Sequence, residues 1–530
     1  MTGVEKWLLS AEERGNAATT IPAWTAGNRV EPLVHGSTYF DRLVTEVDTL
    51  GDGDHLFFTD WQGDPDERLR DEGPTVVEML RAAIERGVVV RGLVWRAHTS
   101  RLSFSKESNR ALDLEVEAAG GEIVLDQRVR RGGSHHQKFV VLRHRDDPSR
   151  DVAFAGGIDL CHSRRDDAEH RGDPQPQSMS PAYGDTPGWH DVQLMLRGPA
   201  VAVLDTVFRE RWEDPTSADV DHPIAWVRDT LHGARLDPGP LPPAYPPPPE
   251  CGPHVVQTLR TYPAIRPPFD FAPKGERSVA RGYTKAITEA RRLVYLEDQY
   301  MWSADVARLF ADALSGQPHL ELVVVVPRVP DQAGALSATP QDLGRWKALT
   351  VLQAAGRGRV HVFDVENHEG TPVYVHAKVC VVDDVWMSVG SDNFNRRSWT
   401  HDSELSSAVL DGTLDPREPR DPAGTGDGAR TLPRDLRLTL AREHLDRAAD
   451  GSQDDGLLDP AEFVATVRRT AHALQGWYDN GRVGPRPPGR LRPHRPEHIP
   501  FRTRLWAAPL YHQLQDPDGR PLSRRLRHTW

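Results

Sequence analysis

HHQKFVV (residues 135–141) and VHAKVCVVDD (residues 375–384) carry one pattern 240 residues apart: a His, one spacer, a Lys, then an apolar run. Side chains two apart on a strand point to the same face, so His136 and Lys138 face together, as do His376 and Lys378. An imidazole and an ammonium presented twice by one chain suit convergence on a single anion. Lysine is scarce here, with seven Lys against 58 Arg, and two of the seven stand in this pattern. A compact ammonium kept in an arginine-biased chain points to a requirement that a guanidinium does not meet.

The repeat extends outward from the motif. STYFDRLVTEVDTLGDGDHLFFTDW (37–61) and RGYTKAITEARRLVYLEDQYMW (281–302) each read as a helix feeding a strand. GVVVRGLVW (87–95) and LELVVVVPRV (320–329) read as buried strands of a parallel or mixed sheet. Thr59 lies 77 residues before His136 and Glu297 lies 79 before His376, so register holds through the unit. After each Lys the pattern predicts a hairpin whose return strand ends in small and polar residues. Gly156 aligns there with Gly390, Gly157 with Ser391 and Asp159 with Asn393.

The predicted fold is therefore α/β, two similar sheet-and-helix halves with one site at their interface. Residues 1–237 form the first half, and the proline-rich 238–253 a linker that can continue neither a helix nor a central strand. Residues 254–450 form the second half, and 451–530 a helical, then Arg- and Pro-rich extension. The stretch 411–435 reads as a surface insertion.

Composition bounds the function. At 38% hydrophobic and 27% charged, with no apolar run of membrane-spanning length, the chain reads as soluble. Its N-terminus lacks the apolar core of a secretory leader and it has three cysteines, which together point to the cytoplasm. The net charge of -12 disfavours general nucleic-acid affinity. Residues 481–530 are the exception, with eleven Arg against three acids. That tail suits an anionic membrane surface, and a solvated extension is the competing reading.

The second copy is His376, Lys378 and Asp383, followed by Gly390, Ser391 and Asn393. It resembles the duplicated His-x-Lys-x4-Asp motif and Gly-Ser-x-Asn turn of the phospholipase D superfamily. GGIDLCHSRRDD, GWHDVQLMLRGPA, YLEDQYMW and NFNRRSWTHDSEL are similar to accessory segments of the eukaryotic-type enzymes. The first copy departs from the motif: Arg143 stands where Asp is wanted, and Lys138 is 18 residues from its Gly turn rather than 12. Asp146, Asp147 and Asp151 are the candidates to replace the missing acid.

The resemblance implies a phosphodiesterase that cleaves phospholipid head groups through a phosphohistidine, without cofactor or metal. In it one His attacks phosphorus and the other protonates the leaving oxygen, with His136 as nucleophile and His376 as acid. Lys138, Lys378 and Asn393 would stabilise the phosphoryl oxygens. Each His should have an acid fixing its tautomer, and aligning the two halves proposes Asp191 for His136 and Glu404 for His376. Gly157, Asp159, Ser391, Glu297 and Gln299 are expected to touch substrate, and Asp383 to buttress its hairpin. Asp159 has a second reading, binding a backbone turn. His135 reads as a surface bystander and Cys380 as a buried hydrophobe, while Trp189, Tyr300 and Trp399 either line a pocket or pack. A monomer acting on phospholipid is expected, with no nucleic acid. The alternatives are a phosphatidyltransferase resembling cardiolipin synthase, and a nucleic-acid-directed or non-catalytic relative.

Overall fold

A computed structural model describes residues 3–96, 105–216, 238–332, 337–496, 499–527 and 529–530. The boundary expected at residue 237 lies outside the described residues.

The first half contributes β1 (Thr25–Val34), β2 (His55–Asp60), β3 (Val89–Trp95), β4 (Glu122–Asp126), β5 (Phe139–Arg143), β6 (Val152–Gly156), β7 (Gly188–His190) and β8 (Val192–Arg197). The second contributes β9 (His254–Tyr262), β10 (Glu276–Arg277), β11 (Leu293–Asp298), β12 (Glu321–Val325), β13 (Val360–Val365), β14 (Val373–Val375), β15 (Lys378–Val382), β16 (Trp386–Gly390), β17 (Glu404–Asp411) and β18 (Leu491–Pro493). One sheet runs β18-β13-β12-β11-β15-β16-β17-β9-β1-β8-β6-β5-β2-β3-β4, with β10 paired to β9.

The order is a near-palindrome about the antiparallel β9–β1 seam. In each half three parallel strands, β2-β3-β4 or β11-β12-β13, are joined by crossover helices. The motif hairpin, β5–β6 or β15–β16, adds antiparallel to the first of them. The apolar runs that predicted buried strands form β3 and β12, which are largely buried because helices cover the sheet. Val76–Glu85, the crossover between β2 and β3, is fixed at its start by a capping box of Thr75 and Glu78.

The proline-rich linker runs extended along the first half. Its carbonyls at Pro242, Tyr245 and Pro246 accept from Arg209 and Arg143, and the Tyr245 ring stacks on His55 at 4.1 Å. The C-terminal region differs from a solvated extension. Strand β18 pairs antiparallel with β13 and closes that sheet edge, and the Tyr511 hydroxyl donates to the Trp302 carbonyl at 2.7 Å. An unpaired edge is a template for aggregation, which gives this return of the chain a physical purpose. Among the described residues no helix is long and apolar enough to cross a membrane.

Candidate active site

Two exchanges of backbone across the halves place the histidines. Strand β7 pairs in parallel with β14, so the His190 carbonyl accepts from the N–H of His376 at 2.8 Å and of Ala377 at 3.1 Å. Opposite it, His135 and Ser403 form a parallel bridge, and the His136 N–H donates to the Ser403 carbonyl at 2.9 Å. Each motif thus enters its hairpin alongside the residue that precedes the other half's carboxylate.

The consequence corrects the pairing expected from alignment. His136 Nδ1 lies 2.8 Å from Glu404 Oε2, and His376 Nδ1 lies 2.6 Å from Asp191 Oδ2. The partners are crossed, because aligning two halves finds equivalent positions but not which half each position faces. In both dyads the carboxylate holds Nδ1, which leaves Nε2 as the atom turned to chemistry.

The supporting turns are equivalent but not identical. The Ser391 hydroxyl donates to Glu404 Oε2 at 2.5 Å and accepts from the Leu405 N–H. At the equivalent position a Cβ on Gly157 would lie 2.2 Å from Asp191 Oδ1, so glycine makes the room that the carboxylate occupies. Ser391 and Gly157, expected to touch substrate, are seen to position the two acids.

Both lysines are buried. Lys138 Nζ donates to the His136 carbonyl at 3.1 Å and lies 3.5 Å from Asp159. Lys378 Nζ lies 2.9 Å from His376 Nδ1 and 3.0 Å from its Nε2. Burial, helped by Lys138, brings Lys378 down to about 7. Burial first, and then the lysines, holds His136 and His376 well below the usual imidazole range. An imidazole kept neutral is the form a nucleophile needs. An anion bound between the lysines would offset the same charge that keeps protons away. Asn393 is buried with its Oδ1 unpaired among the described residues.

The remaining candidates separate. Asp383 accepts from the N–H groups of Arg291, Arg292 and Leu293 at 2.7 to 2.9 Å, tying the second hairpin to the start of β11. Burial raises it to about 6. In the first half the tie is inverted: Asp54, just before β2, accepts from the Arg145 N–H, while Arg143 donates to Asp151 and Asp205. Asp151 therefore serves Arg143, and Asp146 and Asp147 do not replace the motif acid. Asp159 accepts from the N–H of Trp61 at 3.0 Å, the turn-binding alternative. Gln299 donates to the Tyr374 hydroxyl at 2.7 Å.

Glu297 is a correction. It is fully buried and taken up by His190, Tyr295 and His444 at 2.6, 2.5 and 2.8 Å, so it cannot receive substrate. His135 is buried rather than superficial, 3.3 Å from Gln137 Oε1.

Sequence reasoning missed Arg164. Its guanidinium lies 3.9 Å over the Trp189 ring, which is itself 4.8 Å from the His376 ring, and it ranks among the charges that depress His376. No spacing signal marked it, because it comes from an irregular loop. Trp189 thus lines the site beside His376, and Trp61 stands 6.3 Å from His136. Trp399 packs in the core against Tyr283 and Phe394.

Fold and site define a duplicated α/β protein that presents two His–Lys pairs, each His oriented by the opposite half's carboxylate. Family profiles match both halves, one described as "Phospholipase D" over residues 67–232 and one as "Cardiolipin synthase, PLD-like domain" over residues 283–414. The chain belongs to the phospholipase D superfamily. It is 25% identical to phospholipase D alpha 1 of Nicotiana tabacum, covering 79% of this chain and 64% of that protein. Against phospholipase D alpha 1 of Arabidopsis thaliana it is 24% identical, covering 87% and 70%. The chain spans 61% to 64% of the length of the first curated relatives. Phosphatidylserine synthase of Haemophilus influenzae Rd KW20 superposes with a TM-score of 0.46 at 12% identity, over 72% of this chain and 82% of that one.

Proposed function

We propose that this protein is a phosphodiesterase of phospholipase D type, acting on phospholipid head groups through a covalent phosphohistidine. The observation that carries the reading is the pair of crossed dyads, in which two histidines with Nδ1 engaged stand beside two buried lysines.

His136 Nε2 attacks phosphorus and a P–N bond forms. The bond to the leaving alkoxide breaks, and the alkoxide takes a proton from His376 Nε2, which His376 acquires once the substrate anion offsets the lysine charge that adds to burial in keeping its ring neutral in the free site. His376 then removes a proton from water, whose oxygen attacks phosphorus and releases His136. Lys138, Lys378 and Asn393 stabilise the negative charge on the non-bridging oxygens, which in such sites is the larger contribution to rate. Glu404 and Asp191 hold each ring in its working tautomer. His136 is the more open of the two, its side chain 15% exposed against 6% for His376, which favours it as the attacking group.

A lipid substrate is supported by the rim. Helix Phe501–Leu510 exposes Phe501, Leu505 and Trp506, the turn after it exposes Leu514, and helix Leu522–Leu526 exposes Leu522 and Leu526, with Arg502, Arg525 and Arg527 among them. Exposed apolar side chains interleaved with arginine suit an anionic bilayer surface. This segment packs on the stretches that lead into the His136–Glu404 dyad: Arg397, in helix Arg396–Thr400, donates to the Leu514 carbonyl at 2.8 Å and Arg130 to the Gly519 carbonyl at 2.9 Å. Docking there brings the lipid surface to the mouth of the site. Head-group transfer uses the same residues, an alcohol taking the place of water.

The test is head-group release from vesicles of mixed zwitterionic and anionic phospholipid, with and without a primary alcohol. Release, with the alcohol diverting part of the product to a transphosphatidylated lipid, is the expected result. Cleavage of a soluble phosphodiester with no release from any vesicle would remove the lipid assignment and keep the phosphodiesterase.

A further inference from the structure

Behind the catalytic dyads lies a second cluster that the reaction does not use. His35, His170, His190 and Glu443 bring one ligand atom each to within 4.8 Å of one another. His35 Nε2 is 2.6 Å from Glu443 Oε2, while His170 Nε2 and His190 Nδ1 are 3.1 and 3.3 Å from Oε1. The four come from separate places: the entry to helix Gly36–Val47, an irregular loop, strand β7, and the last turn of helix Thr431–His444. All three imidazoles are buried.

We infer that His35 Nε2, His170 Nε2, His190 Nδ1 and the Glu443 carboxylate form a structural binding site for a zinc-class divalent transition ion. Imidazole nitrogens with a single carboxylate select such an ion over magnesium or calcium, which favour all-oxygen shells. Four protein ligands complete a tetrahedron and leave no position for water, so the ion's role is positional.

Three further observations point the same way. The outer nitrogens of two of the histidines meet carboxylates: His170 Nδ1 is 3.2 Å from Asp166 Oδ2 and His190 Nε2 is 2.6 Å from Glu297 Oε2. That is the outer arrangement by which metal-binding imidazoles are oriented. His190 Nδ1, the nitrogen facing Glu443, is buried and makes no hydrogen bond to the described residues. His35 and His170 also both sit at positive φ, 68° and 53°, a conformation that non-glycine residues hold only where surrounding structure imposes it.

The ion would staple the halves together, since three ligands precede the linker and Glu443 follows it. It would also act on the reaction at one remove. The His190 carbonyl receives the His376 N–H, and the next residue is Asp191, which holds the His376 ring. These four are positioning residues.

The test is metal analysis of the full-length protein after desalting, with apo protein prepared by chelation and refilled with Co2+. We expect about one zinc-class ion per chain, a rise in Tm on refilling, and the intense visible absorption of four-coordinate cobalt. His170→Gln removes one of the four ligands and should lower metal affinity by more than the roughly 10- to 100-fold that losing an outer partner costs, and remove the four-coordinate cobalt bands. If that variant does not fold, the wild-type cobalt spectrum and stoichiometry decide alone. Folded wild-type protein that takes up no Zn2+ or Co2+ and shows no shift in Tm would overturn the site and leave histidine–carboxylate pairing as all that holds the cluster. Unchanged stoichiometry and cobalt bands in folded His170→Gln would overturn it equally, by placing the ion elsewhere.

Discussion

Glu404, in the second half of the chain, holds the Nδ1 of His136, in the first, at 2.8 Å. The reciprocal bond from Asp191 to His376 makes the arrangement a mutual exchange. Neither half owns a complete histidine–carboxylate dyad, and the two cannot separate without losing both dyads at once. Glu404→Gln and Asp191→Asn should leave the fold intact and favour the wrong tautomer. Each should lower kcat by about 10³- to 10⁴-fold, with little change in Tm. Steady-state kinetics and thermal melts check this, and a loss under about tenfold in either variant would remove that carboxylate from catalysis.

Gly157→Ala tests the room made for Asp191. The new Cβ would meet the carboxylate oxygen at 2.2 Å and push it from His376. The kcat should fall as in Asp191→Asn, and the double variant Gly157→Ala with Asp191→Asn should be no worse than Asp191→Asn alone. Additive losses would show that Gly157 acts by another route.

The lysine pair sets a pH dependence for anion binding. Lys378 sits at about 7, held down by burial and Lys138, so its charge is present below that pH and lost above it. Sulfate keeps one charge state through this range and suits the measurement. Its Kd should be flat below pH 7 and rise above it, and Lys378→Met should weaken binding and abolish the rise. The sign for stability is opposite. Between about 7 and the ordinary lysine value of 10.5 the unfolded chain binds a proton that the folded anion-free chain does not, so stability rises with pH across that window.

Much of this was legible in the residues. Periodicity and a repeat kept in register foretold two similar halves, because the same apolar runs must be covered by the same helices in each. The His–Lys pairs were legible from their spacing ahead of an apolar run, but not for the reason of strand alternation: His136, Lys138 and His376 stand just before β5 and β15, not in them. The crossed partnership was not. It depends on β7 lying against β14 and Ser403 against His135, short pairings between segments far apart in the chain that carry no local pattern. Glu297 misled for a related reason: the likeness of its segment YLEDQYMW to a family accessory segment suggested substrate contact, while its partners His190 and His444 come from elsewhere in the chain. The inverted tie at Arg143 and Asp54 shows one contact built with the carboxylate on either strand, which motif reading registers as a loss.

The central claim, that His136 forms the covalent bond and His376 supplies the proton, is tested most directly by a burst experiment. The substrate is a p-nitrophenyl phosphodiester, whose leaving group needs little protonation. His376→Ala should release a burst of nitrophenol approaching one per site, followed by slow turnover, with the phosphoryl group and its remaining ester trapped on His136 in the quenched protein. His136→Ala should show no burst. A burst from His136→Ala with none from His376→Ala would reverse the roles, and equal bursts from both would contradict a histidine intermediate altogether.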